Sequence, residues 1–273
     1  MKHTRATGVR HFLADVRVWT TWLLLATLSL AGCDHREANP TRPDLAAGDT
    51  VRIGFVGNSL TYVNDLPGML EALSRAAADT PPIETESVAY GGYALEDHLA
   101  QGDAARMIQR GGWDLIVLQQ GPSTLPASRE NLITYARQFA TLIRAEGAEP
   151  AMYGVWPEKT RLDAFDAGIE SYRAAADSIH GLLFPAANVW KAAWQRDPSL
   201  PLYGPDDFHP SELGTYAAAV TIYAVVNDRS PVGLPFRLTA FGQAVTLDSL
   251  QALDVQRAAE EVTGTAGRVT LDR

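Results

Sequence analysis

Short apolar runs alternate with longer stretches of helical period along this chain, from Val51 onward. The apolar runs predict strands at 51–56, 83–89, 114–118, 150–155 and 182–187. Short strands that alternate with helical segments are typical of βαβ units, whose sheets are covered on both faces. The pattern therefore predicts a sheet that is covered by helices on each side.

Helical periodicity occupies the segments between the predicted strands. It predicts helices at 66–78, 95–109, 129–146, 165–182 and 211–226, and a last amphipathic helix within "LDSLQALDVQRAAEEV". Strands that alternate with helices form βαβ units, which build parallel sheets. We therefore expect an α/β fold, a three-layer α/β/α sandwich with a central, mostly parallel sheet of about five strands.

Composition describes a globular chain and excludes several other classes of protein. Of the 273 residues, 46% are hydrophobic and 20% are charged, which argues against a disordered or collagen-like chain. A formal net charge of −9, with no basic run, argues against nucleic acid as a partner. Cys33 is the only cysteine, so neither an internal disulfide nor a cysteine-based zinc site is available.

The N-terminal residues have the pattern of an export signal. Four basic residues, Lys2, Arg5, Arg10 and Arg17, precede the apolar run "VWTTWLLLATLSLAG", which is short for a spanning helix and is followed by Cys33. "LSLAGC" resembles a bacterial lipobox, in which the cysteine is lipidated and becomes the mature N-terminus. This implies an exported protein anchored by lipid in the bacterial cell envelope, at the periplasmic face of the membrane, and Asp34 favours the inner membrane. An ordinary signal peptide, or a short anchor with an incidental cysteine, is the alternative.

Three segments follow from these patterns. Residues 1–32 are predicted to be a lipoprotein signal peptide, and residues 33–50, polar with two prolines, a lipidated tether. The folded domain is predicted to span 51–273, with a helical extension over about 227–273. Membrane attachment would come through the lipid on Cys33 alone. The oligomeric state stays open.

The first predicted strand stops abruptly at the sequence "GNSLT". Ligands of open α/β sheets bind beyond the carboxyl ends of strands, and Ser59 lies at that point. A serine there can act as a nucleophile if a neighbouring base takes its proton. The segment lacks the second glycine of a Gly-x-Ser-x-Gly elbow and the lysine of a phosphate-binding loop. A Gly-Asn turn with a helix-capping serine or threonine is the alternative.

A possible base lies in "YGPDDFHPSELG", where Asp206 and His209 are three residues apart before a helix that opens with Pro210. The spacing allows the carboxylate to hold one imidazole nitrogen while the other reaches a serine, as in a Ser-His-Asp triad. An Asx turn with a capping or packing histidine is the alternative. A metal site is disfavoured, since no other His or Asp cluster has ligand spacing.

Together these segments resemble the SGNH hydrolases, also called GDSL-like esterases and lipases, over roughly residues 51–226. The resemblance implies a flavodoxin-like fold, ester hydrolysis through an acyl-enzyme, and no cofactor or metal. Gly57-Asn58-Ser59-Leu60 corresponds to the family's Gly-Asp-Ser-hydrophobic block, and Asp206 and His209 to its Asp-x-x-His block. Ser59, Asp206 and His209 are thereby predicted to be the catalytic residues.

The same resemblance implies three oxyanion-hole donors. These are the N–H of Ser59, the N–H of Gly92 with Gly91 in reserve, and a side-chain donor after the third strand. The family's asparagine is missing there, where the chain reads "LQQGPST". A branch of the family that acts on acetylated sugars has Gln-Gly-Glu at this place. This makes Gln120 the candidate side-chain donor and Ser123 the second choice. The alternative is that Gln119 and Gln120 only end the strand.

The substrate is the least determined feature. A small-molecule or glycan ester is expected, with deacetylation of a carbohydrate suggested by Gln120-Gly121 and a lipase or lysophospholipase as alternative. Trp156, after the fourth strand, is predicted to form a wall of the substrate site, or else to pack at its rim. His98 and His180 are assigned no role. A lipid-tethered binding protein without turnover is the alternative from another class.

Overall fold

The computed structural model describes residues 50–77, 80–240 and 242–265. The predicted signal peptide, the lipidated Cys33 and the predicted tether up to residue 49 lie outside these ranges. They therefore remain predictions.

A five-stranded parallel sheet forms the centre of the domain. Its strands are β1 (Val51–Gly57), β2 (Ile83–Ala89), β3 (Leu115–Leu118), β4 (Glu149–Tyr153) and β5 (Leu182–Phe184), in the order β2-β1-β3-β4-β5. Every neighbouring pair is parallel, with Phe55 of β1 opposite Ser87 of β2 and Val117 of β3. This is the flavodoxin-like order, and the predicted α/β fold class is confirmed.

Helices pack in two groups on the sheet. One group contains α3 (Leu95–Gln101), α4 (Asp103–Gln109), α5 (Pro126–Ala145) and α6 (Phe165–Ser178). The other contains α2 (Leu66–Ala76), α7 (Ala186–Arg196), α8 (Glu212–Asn227) and α9 (Ser249–Thr263), while the short α1 (Ser59–Tyr62) follows β1 directly. The crossovers that join parallel strands place helices on both faces, so β1 and β3 are buried almost throughout.

Several boundaries differ from the prediction for local reasons. The helix predicted at 95–109 is two helices, because Gly102 adopts a left-handed φ of +87° between α3 and α4. The strand predicted at 182–187 ends at Phe184, where Pro185 cannot continue the ladder and α7 begins. After residue 227, the expected helical extension contains α9 but also an antiparallel hairpin, β6 (Arg237–Ala240) and β7 (Gln243–Thr246).

Candidate active site

The carboxyl ends of the strands bring the predicted site residues to one edge of the sheet. Segments after β1, β2, β3 and β4 line a cleft of about 630 Å³, together with Phe208 from the connection between α7 and α8. Ser59, Gly92, Gln120 and Ser123 all lie in its lining. The residues predicted to form the nucleophile and the oxyanion hole are therefore neighbours in space.

Ser59 is the first residue of α1. Asn58 caps this helix in an extended conformation, and its side-chain oxygen accepts a hydrogen bond from the Leu60 N–H at 3.1 Å. As the first helical residue, Ser59 has a backbone N–H without an acceptor inside the helix. Within the described ranges, no hydrogen bond holds its hydroxyl, so both groups are available to a ligand in the cleft.

Gln119 fixes the backbone on both sides of Ser59, a role that was not predicted from the sequence. Its side-chain oxygen accepts from the Asn58 N–H at 2.9 Å and from the Thr61 hydroxyl at 2.8 Å, and its amide nitrogen donates to the Asn58 side-chain oxygen at 2.9 Å. A Cβ at Gly57 would collide with Thr61 and Gln119, which explains the glycine. The signal in the sequence was a glutamine at the end of a buried strand.

His98 provides a second support for the same turn, although no role was predicted for it. His98 lies on α3 and its ring is fully buried. The ring nitrogen Nε2 is 2.7 Å from the carbonyl oxygen of Gly57. A carbonyl only accepts, so Nε2 carries the hydrogen, and Nδ1 is a buried atom without a partner in the described structure. Burial lowers the pKa of His98, because the charged ring would lose its hydration.

Asp206 and His209 interact as the predicted triad requires. His209 Nδ1 lies 2.5 Å from an Asp206 carboxylate oxygen, and the other oxygen accepts from the backbone N–H groups of Phe208 and His209. The hydrogen bond from the His209 ring is the main reason that the pKa of Asp206 falls to about 2. The carboxylate therefore stays ionised and fixes the ring. We call residues 204–209 the catalytic loop.

Asn64 connects the segment after Ser59 to the residues that follow the catalytic loop. The side-chain amide of Asn64, just after α1, donates to the Pro210 carbonyl at 2.8 Å and to the Thr215 hydroxyl at 3.1 Å. Pro210 follows His209 directly. Among the described residues, no hydrogen bond joins His209 Nε2 to the Ser59 hydroxyl, and such contacts often tighten only when substrate binds.

The two glycines considered for the oxyanion hole differ in position. Gly92 lines the cleft and has a left-handed φ of +76°, a conformation that other residues rarely adopt. At Gly91, the space for a Cβ is limited by the Tyr62 hydroxyl at 3.2 Å. Of the two, Gly92 is the one in the cleft lining.

Gln120 and Ser123 are hydrogen-bonded to each other. The Gln120 side-chain oxygen accepts from the Leu95 N–H at 3.1 Å, and its nitrogen donates to the Ser123 hydroxyl at 3.0 Å. That hydroxyl in turn donates to the Gly121 carbonyl at 3.1 Å. The Ser123 hydrogen is therefore in use, whereas the Gln120 amide keeps a second hydrogen.

The predicted wall residue Trp156 is placed differently from the expectation. Its ring is fully buried and stacks on Trp190 with a centroid separation of 3.5 Å, which corresponds to the packing alternative. Its indole N–H donates to the Phe208 carbonyl at 3.2 Å. Trp156 therefore supports the catalytic loop, and the aromatic residues in the cleft lining are Tyr93 and Phe208.

The exposed residues of the cleft lining include several polar and charged side chains, beside the apolar Leu125. Asn131 donates to Glu96 at 2.7 Å, and Arg161 donates to the Thr124 hydroxyl at 3.1 Å. Glu158 also contributes to this lining. This exposed part of the lining, which we call the outer cleft, therefore offers both donors and acceptors of hydrogen bonds.

The described residues contain neither a cluster of metal ligands nor a membrane-spanning helix. No group of three or more histidine, cysteine, aspartate or glutamate side chains in the described part of the chain is arranged to hold a metal ion. No helix within residues 50–77, 80–240 and 242–265 is long and apolar enough to cross a membrane.

Comparisons with known proteins give similarity in structure only, since neither a protein-family model nor a curated protein matches this sequence. A DUF4886 family protein from Bacteroides uniformis superposes with a TM-score of 0.65 at 17% identity, over 81% of this chain and 98% of that chain. A protein of Slackia heliotrinireducens, provisionally named an SGNH hydrolase, has a TM-score of 0.53 at 26% identity. The match covers 64% of this chain and 97% of that chain. An acetyl xylan esterase has a TM-score of 0.53 at 13% identity, and the match covers 64% of this chain and 100% of that chain.

Proposed function

The chain has the fold of the SGNH hydrolases, and from this premise we propose that it hydrolyses carboxylic esters with Ser59 as the nucleophile. The observation that carries the proposal is the hydrogen bond between Asp206 and His209 on a loop beside the cleft that contains Ser59. Ester hydrolysis in general is further supported by the similarity to the Slackia protein and to the acetyl xylan esterase.

The proposed reaction has two balanced steps. His209 Nε2 takes the proton of the Ser59 hydroxyl as its oxygen attacks the ester carbonyl, and returns that proton to the alcohol oxygen as the C–O bond breaks. Water then attacks the acyl-enzyme, giving its proton to His209, which passes it back to Ser59 as the acid leaves. Asp206 holds Nδ1 and stabilises the imidazolium in both steps.

Three donors are proposed for the oxyanion. The Ser59 N–H and the Gly92 N–H come from the ends of β1 and β2, and the unused amide hydrogen of Gln120 comes from the end of β3. Gln120 is preferred to Ser123 because the serine hydroxyl already donates to the Gly121 carbonyl. An amide side chain can donate as the family's asparagine does.

For the substrate, we propose a hydroxyl-rich ester such as an acetylated glycan. The outer cleft, with Asn131, Glu96, Glu158 and Arg161, can bind the hydroxyl groups of a sugar. A lipase or lysophospholipase is the alternative within the same chemistry, and would need a more continuous apolar groove. The non-catalytic binding protein remains the alternative that lacks turnover.

Attachment to the cell envelope stays a separate proposal, supported by the "LSLAGC" sequence. Lipidation of Cys33 would hold the acidic domain at the membrane, with the substrate reached from the periplasmic side. Cells that express the full chain are supplied with a clickable fatty acid, and the label should appear on the wild type. A Cys33→Ala chain that still takes up the label would contradict lipidation at this residue.

Hydrolysis of p-nitrophenyl acetate and of longer p-nitrophenyl esters tests the enzymatic proposal. The wild type is compared with Ser59→Ala, and both are treated with a fluorophosphonate probe. Loss of turnover and of labelling in the variant supports the serine esterase, and a preference for short acyl chains favours deacetylation over lipase activity. Turnover that survives in Ser59→Ala would contradict Ser59 as nucleophile, and a wild type with neither turnover nor labelling would favour the binding protein.

A further inference from the structure

The segment between β4 and α6 contacts both the substrate cleft and the catalytic loop. In this segment, which we call the bridging segment (residues 156–161), Glu158 and Arg161 line the cleft. Other residues of the segment contact the catalytic loop or the residue before it: the Trp156 indole donates to the Phe208 carbonyl, and the Pro157 carbonyl accepts from the Tyr203 hydroxyl at 2.6 Å. Lys159 contacts Asp207, which directly follows Asp206.

Lys159 holds Asp207 by two hydrogen bonds. The Lys159 backbone N–H donates to the Asp207 carbonyl at 2.8 Å, and its ammonium group donates to the Asp207 carboxylate at 2.8 Å. Asp207 lies between Asp206 and His209 in the sequence and has a left-handed φ of +56°. Aspartate tolerates this conformation better than most residues, yet it must be held there. The pair therefore fixes the turn that brings the Asp206 carboxylate to the His209 ring.

The pair is badly suited to a role in stability alone. Its side chains are 55% and 52% exposed, and exposed ion pairs stabilise proteins little. Lys159 and Asp207 line a neighbouring cavity of about 560 Å³ rather than the substrate cleft, so the geometry gives them no direct contact with the substrate. The contacts of Lys159 in this pair are with the catalytic loop, and a reaction rate is sensitive to small displacements of the groups that react.

We propose that Lys159 and Asp207 are positioning residues, whose ion pair holds His209 in the orientation needed to take the Ser59 proton. This inference rests on the proposed ester hydrolysis. A positioning pair predicts a fall in kcat and in the rate of fluorophosphonate labelling, with KM unchanged. A pair that contacts substrate predicts a change in KM instead.

The test uses Lys159→Met, Lys159→Arg, Asp207→Gly and the double variant Lys159→Met/Asp207→Gly in the full chain. Labelling by the fluorophosphonate and hydrolysis of p-nitrophenyl acetate should slow about tenfold in Lys159→Met, and Lys159→Arg should restore the rate to within about twofold. Glycine keeps the positive φ at position 207 without the carboxylate. In that background, Lys159→Met should add no further slowing, since the partner of its ammonium group is already gone.

Lys191→Met is the matched control, because Lys191 forms an exposed ion pair with Asp166 that is remote from the cleft lining. It should leave both rates unchanged. The inference is overturned if Lys159→Met reacts at the wild-type rate, if it slows the Asp207→Gly protein by the same factor as the wild type, or if it changes only KM. If Lys159→Met does not fold, Lys159→Gln replaces it. A wild type that neither turns over ester nor takes up the probe means that the proposed function itself has failed.

Discussion

Asn58 lies where the SGNH hydrolases that the sequence resembles have an aspartate, and its contacts explain why an amide suits this chain. The oxygen accepts from Leu60 and Gln119, and the nitrogen donates to the Tyr93 carbonyl at 3.1 Å. The side chain is only 6% exposed. An aspartate could keep the two acceptor contacts, but its second oxygen would face the Tyr93 carbonyl.

We therefore expect Asn58→Asp to destabilise the protein by about 1–3 kcal/mol, because it buries an acceptor against an acceptor. Urea unfolding of the variant and the wild type measures this difference. Asn188→Asp is the control, since Asn188 is partly exposed in the first turn of α7 and its side chain makes no hydrogen bond to the described residues. An unchanged unfolding midpoint in Asn58→Asp would contradict the assigned orientation of the amide.

Gln120→Glu separates the two functions of the Gln120 side chain. Glutamate keeps the oxygen that accepts from the Leu95 N–H, but it removes the amide donor and adds negative charge where the oxyanion would form. Loss of one oxyanion donor lowers kcat about 100–1,000-fold, so we expect at least this loss for p-nitrophenyl acetate.

Ser123→Ala is the matched variant for Gln120→Glu, because it removes the alternative donor and leaves the Gln120 amide in place. It should retain most of the wild-type kcat. The reverse result, with Ser123→Ala strongly impaired and Gln120→Glu active, would transfer the third donor to Ser123.

At the scale of residues, the sequence indicated the groups that are proposed to react more readily than the groups that hold them in place. Ser59, Asp206 and His209 lie in short motifs that are readable in one dimension. Gln119, Asn64 and His98 act through hydrogen bonds to residues 41–151 positions away, which no local pattern displays. A tryptophan just after a strand, such as Trp156, is typical both of binding sites and of packed cores. Only the tertiary structure shows that its ring stacks on Trp190.

At the scale of elements, the fold was largely predictable because most strands of the central sheet are short and largely apolar, as β1 and β3 are. The edge strand β2 (Ile83–Ala89) is the exception, since it contains two glutamates and is partly exposed. The weaker predictions concern elements with less regular signals. The hairpin of β6 and β7 was missed because its strands have four residues each and alternate between exposed and buried positions only briefly. The break between α3 and α4 required knowing that Gly102 ends one helix with a positive φ and begins the next.

The contact of α3 with the end of β1 predicts a dependence of stability on pH. The pKa of His98 is lowered in the folded protein from its ordinary 6.5, so the unfolded chain binds its proton more readily. The free energy of unfolding therefore falls as pH drops below about 6.5, by at most about 1.4 kcal/mol per pH unit from this group. Above that pH, both states are neutral at His98 and the contribution is constant.

His98→Gln tests this, because glutamine can donate to the Gly57 carbonyl without titrating. The difference in unfolding free energy between the wild type and His98→Gln should change between pH 7 and pH 5, in favour of the variant at the acid end. His180→Asn is the control, since His180 is exposed with a φ of +47°, which asparagine tolerates. Parallel stability curves for wild type and His98→Gln would contradict a buried, neutral His98.

At the scale of the whole molecule, the described residues after Val226 stabilise the helical layer that contains α8. On α9, Gln256 is buried and accepts from the Gly233 N–H at 2.9 Å, while its amide donates to the Tyr216 hydroxyl and to the Leu234 carbonyl. Helix α9 also packs against α7 and α8. The lining of the substrate cleft comes from residues 58–208, so this region is a brace rather than a lid.

Stability and catalysis should therefore respond separately to changes on α9. Gln256→Ala leaves a buried hydroxyl, a carbonyl and an N–H without their partner, and should lower the free energy of unfolding by about 1–3 kcal/mol. Because the cleft lies elsewhere, kcat and KM of the folded variant for p-nitrophenyl acetate should equal the wild-type values at a temperature well below its melting point. Arg257→Ala, on the exposed side of the same helix, should change neither quantity. A fall in kcat for Gln256→Ala without loss of folded protein would mean that the C-terminal region acts on the active site, and the assignment as a brace would be wrong.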